Sequence, residues 1–321
     1  MSSLRRLIET IQKSKRVLVG THIDPDCDGI CAALVCGYLV HYYKGRKPVL
    51  YCSSPIPSKF HFLMGNWKFV RRIPDFDLLI AVDSAGISRV FPHVDEPMRE
   101  GLISKSIVNI DHHRSNNAFG RVSIVDEHAS STCEILYRIF KRLHIKINRF
   151  VADNLYCGLY SDTGGFVYPN TSKKALKIAT ELVGLGVKPT SLVKRLNVKT
   201  LAGTLLLSEV LRTIEIKHGI GSMYLTQKML RKSRGEMVDS ENFVSFLQAI
   251  GGVRVSLFLR EERHGTRVSL RSDGIIDVDR LARRYGGGGH RLAAGLRMQH
   301  NITTAKEKMF SALLKEMRRK A

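Results

Sequence analysis

No stretch of this 321-residue chain sustains the roughly 18 apolar residues of a membrane-spanning helix. Arg5, Arg6 and Glu9 break up any signal-peptide core, so no membrane association and a cytoplasmic location are expected. The six cysteines, Cys27, Cys31, Cys36, Cys52, Cys133 and Cys157, include no Cys-x-x-Cys pair and sit mostly in apolar surroundings. Thiolate zinc sites and a disulfide framework are thereby disfavoured, and buried reduced thiols are the plainer account. There is no internal repeat and no low-complexity tract. Acids are scarce: 29 Asp plus Glu face 51 Lys plus Arg, a net charge of +22. Such an excess favours polyanionic partners and their electrostatic steering, although it also serves solubility. Otherwise 44% hydrophobic and 25% charged residues are ordinary for a globular protein, and the length suits two domains.

The few acids are unevenly placed. His22-Ile23-Asp24-Pro25-Asp26-Cys27-Asp28 packs one imidazole and three carboxylates into seven residues, directly after the apolar run 16–20. A run of that kind ending in a polar turn reads as a buried strand delivering its C-terminal end to a crevice. Carboxylates so close repel one another, and a divalent cation is the simplest neutraliser.

Strand-like runs at 17–20 and 48–52 flank a helical segment over 29–43, and the runs 77–83 and 106–111 each end in Asp. Helices are expected over 130–143, 148–162 and 172–185, with Ser130, Ser131 and Thr132 as caps. This alternation indicates an α/β domain with a mostly parallel sheet covered by helices. The Gly184-Leu185-Gly186-Val187-Lys188-Pro189 cluster marks a change. The expected division is a catalytic domain over 1–186, a linker over 187–198 and a smaller α+β domain over 199–321. The second domain carries a helix at 199–212, short strands at 213–217, 221–226, 253–260 and 266–272, and a helix at 278–285 running into Gly286–Gly289. A basic amphipathic helix over 306–319 closes the chain, its charges read as a solvated face.

Strand ends thus deliver His22, Asp26 and Asp28, then Asp83, then Asp111-His112-His113, while Ser161-Asp162-Thr163-Gly164-Gly165 ends a helix. Open parallel sheets bind ligands beyond the carboxyl ends of their strands, so these segments are expected to meet at one rim. Each group alone has an ordinary explanation as a turn or cap; four of them at element ends do not. Carboxylates with a minority of imidazoles and no thiolate suit Mn²⁺ first, then Mg²⁺, Co²⁺ or Fe²⁺. Two cations about 3.5–4 Å apart need a bridging carboxylate. Asp83, alone at its strand end, is the natural bridge.

With these residues in place, the chain resembles the DHH phosphoesterase superfamily, and within it the DHH–DHHA1 proteins that act on short oligoribonucleotides, pAp and cyclic dinucleotides. The likeness covers nearly the whole chain. His22-x-x-Pro25-Asp26-x-Asp28, Val82-Asp83-Ser84, Asp111-His112-His113 and Ser161-Asp162-Thr163-Gly164-Gly165-Phe166 resemble its four N-terminal motifs. Val268-Ser269-Leu270-Arg271-Ser272 and the Gly286–Gly295 segment, with Gly288, Gly289, His290 and Arg291, resemble its DHHA1 signatures. The resemblance implies one cation on His22, Asp26 and Asp83, and a second on Asp28, Asp83, His112 and Asp162. Asp24 is not required as a ligand and is left as a supporting group. Ile30-Cys31-Ala32 replace the small residues usual after the first motif, and Leu292 stands where a polar residue is common.

The chemistry expected is water attacking phosphorus in line between the two cations, with His113 contacting the phosphate or assisting the leaving oxygen. The Gly286–Gly289 run is read as backbone N–H groups open to an anion, with Ser269, Arg271, Gly288, Gly289, His290 and Arg291 binding substrate. Arg260, Arg263 and Arg267 count only as a diffuse basic patch. A terminal phosphate held by the small domain, presenting its neighbouring ester to the cations, favours short substrates. Short RNA or DNA oligonucleotides, dinucleotides of the pApA or pGpG type, pAp and cyclic dinucleotides are the expected partners, and the family admits a homodimer. A cyclic di-AMP phosphodiesterase is one alternative. A pyrophosphatase or polyphosphatase would carry a different C-terminal domain. A non-catalytic nucleotide or RNA sensor would show a lost ligand, and no ligand position is lost.

Overall fold

The computed structural model describes residues 3–95, 101–102 and 105–319, and these form two compact units, Met1–Val198 and Lys199–Ala321. In the first, six strands form one parallel sheet: β1 (Val17–Gly20), β2 (Val49–Tyr51), β3 (Phe69–Val70), β4 (Leu78–Val82), β5 (Ser106–Asp111) and β6 (Val122–Val125). Their order is β3-β2-β1-β4-β5-β6. The chain steps outward from β1 to β2 and β3, then restarts beside β1 with β4 and proceeds the other way. The switch point therefore lies between β1 and β4, where a ligand crevice opens at the strands' carboxyl ends. His22 follows β1 and Asp83 follows β4, so the two flank that crevice.

Burial on both faces explains the uninterrupted apolar runs. In β1, Val17 and Val19 join the core cluster that contains Leu34, Phe140 and Leu155, while Leu18 faces the opposite cluster with Tyr51, Leu79 and Phe91. The longer helices of this unit, among the described residues, are α1 (Ser3–Lys13), α2 (Cys27–Lys44), α3 (Thr132–Arg142), α4 (Arg149–Asp162), α5 (Lys173–Gly184) and α6 (Pro189–Asn197). Residues 27–37 of α2 are all buried, as an apolar helix without a polar face demands. It stops at Gly45, whose left-handed backbone (φ 67°) a β-carbon would disfavour. All six cysteines are free and buried.

Several elements of this unit differ from the sequence reading, α1 among them. Strands β3 and β6 were not expected; two and four residues long, they are too short to show a period. The interval 187–198, read as a linker, holds α6 instead, with Pro189 in its first turn and Leu192 buried in the first core.

The second unit begins with α7 (Leu201–Leu211) and contains β7 (Glu215–Lys217), β8 (Ile220–Leu225), α8 (Gln227–Ser233), α9 (Val244–Gln248), β9 (Val255–Glu262), β10 (Gly265–Ser272), α10 (Val278–Arg283), β11 (Gly288–His290), β12 (Ala293–Met298) and α11 (Ile302–Arg318). Its sheet runs β11-β12-β10-β9-β8-β7, with β8–β9 parallel and the other pairs antiparallel. On one face Val255, Leu257, Leu259, Val268 and Leu270 pack with α10 and α11; on the other, Met223, Leu225 and Phe258 pack with α7 and α9. The closing basic helix docks Ala305, Met309, Leu313 and Met317 against this sheet. No helix among the described residues is long and apolar enough to cross a membrane.

Candidate metal centre

The side chains nominated on the first unit converge around Asp83. Its backbone is left-handed (φ 53°), a conformation disfavoured for a residue with a β-carbon. The two carboxylate oxygens face different groups. Oδ2 lies 3.5 Å from His22 Nε2, and Oδ1 lies 3.6 Å from His112 Nε2. Thr132 Oγ1 donates to Oδ1 at 2.8 Å and holds the carboxylate in that attitude. Three sets of potential ligands share this residue: His22, Asp26 and Asp83; Asp28, Asp83 and His112; and Asp83, Asp111 and His113. Asp162 Oδ2 stands 3.2 Å from His112 Nε2.

Both imidazoles are oriented alike. His22 Nδ1 lies 2.8 Å from Ile23 O and His112 Nδ1 lies 3.3 Å from Ala129 O. With each Nδ1–H donating to a carbonyl, each Nε2 lone pair points into the cluster, the tautomer a cation requires. Arg89 Nη2 is 3.4 Å from the same His22 Nδ1; the shorter carbonyl contact fixes the proton there. Asp26 caps α2 through the Gly29 N–H at 3.0 Å, and Asp28 accepts from Thr132 N at 2.7 Å and Cys133 N at 3.2 Å, the first N–H groups of α3.

Even so, the carboxylates are undercompensated. Burial, then the charges of Asp83 and Asp162, push the Asp28 carboxyl well above its usual range. Asp162 is raised in the same way by burial and by Asp26 and Asp83, and its Oδ2 is buried without a hydrogen-bond partner. Burial works against ionising Asp83, yet His22, His113 and His112 together hold it below its usual range. His22 is opposed by burial but raised to about 10 by Asp26 and Asp83. An orphaned carboxylate oxygen, repelling acids and two pre-oriented Nε2 atoms fit divalent cations. Glycine is needed for the close approach: a β-carbon on Gly29 would lie 2.6 Å from Thr21 Oγ1 and 3.1 Å from His22 Nε2.

His113 plays another part. Its Nδ1 bonds Asp111 Oδ1 at 2.7 Å, and Asn116 Nδ2 clamps Asp111 Oδ2 at 2.6 Å. Burial lowers His113 but Asp111 raises it further, to about 9. Asp24 is exposed and bonds Ser54 through both its N–H and its Oδ1, so it stands outside the clusters rather than supporting them.

On the second unit, Ser269 and Arg271 lie on β10, and Gly288, Gly289 and His290 form β11, with Arg291 exposed in the following turn. The glycine run is not an open loop. The N–H groups of Gly286 and Gly287 close the end of α10 on Arg283 O and Ala282 O, and Gly289 N donates to Asp279 Oδ1 at 2.8 Å. Close packing on β12 explains the glycines: a β-carbon on Gly287 would lie 2.5 Å from Leu296 Cβ.

The family model of the DHH family, N-terminal domain, matches residues 16–159, and that of the DHHA1 domain matches 221–320. A bifunctional oligoribonuclease and PAP phosphatase, NrnA, from Thermus thermophilus is 31% identical over 320 residues, 98% of this chain and 94% of its own length. The chain belongs to the DHH family. The protein of the same description from Bacillus subtilis is 29% identical over 90% of this chain and 91% of its own. An exopolyphosphatase-related protein from Bacteroides fragilis superposes with a TM-score of 0.86 at 23% identity, covering 99% of this chain and 97% of that one, a likeness of fold. Members of a DHH family are hydrolases of phosphate esters, and the residues that sequence reasoning overlooked here are supports: Thr132, seen only as a helix cap, and Asn116, which carries no motif.

Proposed function

We propose that this protein is a two-cation phosphoesterase, with Mn²⁺ the preferred ion, that hydrolyses short 5′-phosphorylated oligonucleotides and dinucleotides to mononucleotides and pAp to AMP. Asp83 carries the reading, because its two oxygens face separate ligand sets 3.5 and 3.6 Å away. The Thermus and Bacillus relatives support the substrate class, since both are described as oligoribonucleases and PAP phosphatases. When bound, a pair of divalent cations would ease deprotonation of water and neutralise charge building on the phosphoryl oxygens. The chain's own part is preorganisation. Ile23 O and Ala129 O fix the two imidazoles, Thr132 fixes Asp83, and the start of α3 fixes Asp28. His113, held cationic by Asp111, donates a ring proton toward the phosphate or the departing oxygen. Substrates of this kind imply a cytoplasmic setting.

The test is a kinetic panel with Mn²⁺ of pApA, pAp, cyclic di-AMP and pyrophosphate on the wild type and on Asp83→Asn. Fastest turnover of pApA, falling at least about 10³-fold in the variant with unchanged circular dichroism, is expected. Equal or better turnover of pyrophosphate, or full activity of Asp83→Asn, overturns the reading.

A further inference from the structure

A second concavity lies at the amino-terminal rim of the first unit's sheet, away from the metal centre at the strands' carboxyl ends. Its volume is about 270 Å³, and it sits where β1, β2 and β4 begin, with the last turns of α2 as one wall. Phe76 lines it, and Asp83 stands seven residues further along, beyond β4. Extended chain therefore sets the cavity and Asp83 roughly 20 Å apart. The cavity is not an extension of the metal centre.

Its floor is apolar and its rim is cationic. Val17, Val40 and Phe76 are buried, while Val49 leaves 39% of its surface open although it starts a strand. Around them stand Lys15, Arg16, Lys44, Arg46 and Lys47, and Asp75 is the acid among the lining residues. Most of these cations are placed by neutral acceptors. Lys44 Nζ donates to Gln12 O at 2.8 Å and Arg46 donates to Lys15 O. Lys47 Nζ donates to Asn66 Oδ1 at 2.8 Å and lies 4.6 Å from the centre of the Trp67 ring. Arg16 pairs with Asp75 at 2.6 Å, and Lys105 takes the other oxygen of that carboxylate at 3.6 Å. Asp77, just outside, accepts from the backbone N–H groups of Lys15 and Arg16. Both acids together still leave the five rim cations in excess.

The helix dipole accounts for Lys44 at the carboxyl end of α2, but not for Lys15 and Arg16, which arrive just before β1. A cleft with apolar walls and one sign of charge at its mouth concentrates anions. An apolar floor offers nothing to a bare phosphate, and a track for a nucleic-acid strand needs a long open groove. A base on the floor with phosphates at the rim uses both parts.

We propose that this cavity binds a nucleotide carrying two or more phosphates, with its base against Val17, Val40, Val49 and Phe76 and its phosphates among Lys15, Arg16, Arg46 and Lys47. The site is additional to the metal centre and does not rest on the phosphoesterase reading.

The test irradiates the full chain with 8-azido-ADP in EDTA and maps the adducts by mass spectrometry. Label is expected within the segments 40–49 or 74–76. ADP should displace it at concentrations at least about tenfold below those required of adenosine or of tripolyphosphate. Lys15→Glu, which changes an exposed side chain, should weaken labelling at least about tenfold, and Val49→Trp should abolish it by filling the floor. Label found only outside those segments overturns the site, as does labelling that either folded variant leaves intact. Should Val49→Trp not fold, Lys15→Glu decides alone. Displacement by tripolyphosphate as readily as by ADP removes the base from the account and overturns the nucleotide assignment. So does displacement by a single-stranded RNA of about 12 nucleotides at lower concentration than ADP, the mark of a strand track. Hydrolysis of pApA by Lys15→Glu should stay within about twofold of wild type, so failure of this site and failure of the hydrolase assignment are read separately.

Discussion

The two units bury charge in opposite senses. Around Asp83 the first gathers Asp26, Asp28 and Asp162, with like charges acting on one another; on β9 and β10 the second sets Arg260 opposite Arg267 with Arg271 on the same face, and Glu241 and Glu262 offset part of the charge around Arg260. A net charge of +22 describes neither place. The acidic cluster taken alone repels a phosphate ester, and the basic face taken alone attracts one without offering anything to cleave it. The distribution of buried charge, more than its sum, is what the composition conceals.

The largest expected effect comes from denying the first unit its cations. Dialysis against EDTA should cut hydrolysis of pApA by at least about 10³-fold, and added Mn²⁺ should restore it; residual activity that chelation leaves untouched would break the contrast between the units. A smaller loss is expected when a support is removed and every ligand kept. Thr132→Val deletes the hydroxyl that holds Asp83 Oδ1 but leaves the backbone N–H to Asp28. The Mn²⁺ concentration for half-maximal rate should rise roughly 10–100-fold, and an unchanged requirement would mean that Asp83 needs no such hold.

The acid dependence sharpens the same contrast. Without cations, His22 and His113 are raised from 6.5 to about 10 and about 9, so the stability that their protons contribute is complete at and below pH 6.5 and disappears as pH climbs through those values. Asp28 and Asp162, also raised, lose protons in the same direction. The metal-free protein should therefore melt at falling temperatures from pH 6.5 to about 9, and the gain in Tm on adding Mn²⁺ should widen over that window. A gain that narrows is contrary. The smallest effect belongs to Arg263, exposed at the β9–β10 turn. Arg263→Ser should alter the rate of pApA hydrolysis by less than about twofold; a loss of about tenfold or more would give that turn a part in holding substrate.

The strand-and-motif logic that was legible in the sequence concerned residues at element ends. His22, Asp83 and Asp111 each stand at or just beyond the end of a mostly apolar buried strand, and a strand buried on both faces has only its end to offer to a ligand. The supports were not legible, because they act across long separations: Thr132 reaches Asp83 from 49 residues away, and nothing in its neighbourhood marks it as more than a cap. Gly286–Gly289 was legible only as a glycine run. Glycine serves an anion and a tight strand contact equally well, and the bonds of the Gly286, Gly287 and Gly289 N–H groups, with the packing of Gly287 on Leu296, come from the folded unit alone. Arg260 and Arg263 are three residues apart and alike in type, yet one is buried under the sheet face and the other exposed in a turn, a distinction set by pairing register.

Titration of Mn²⁺ into the metal-free protein, in buffers of differing ionisation enthalpy, bears most directly on the shared role of Asp83. Two ions per chain should bind with net proton release, and Asp83→Asn, still folded, should lose the pair. Binding of one ion or none by the wild type, or an undiminished two by the variant, would contradict it.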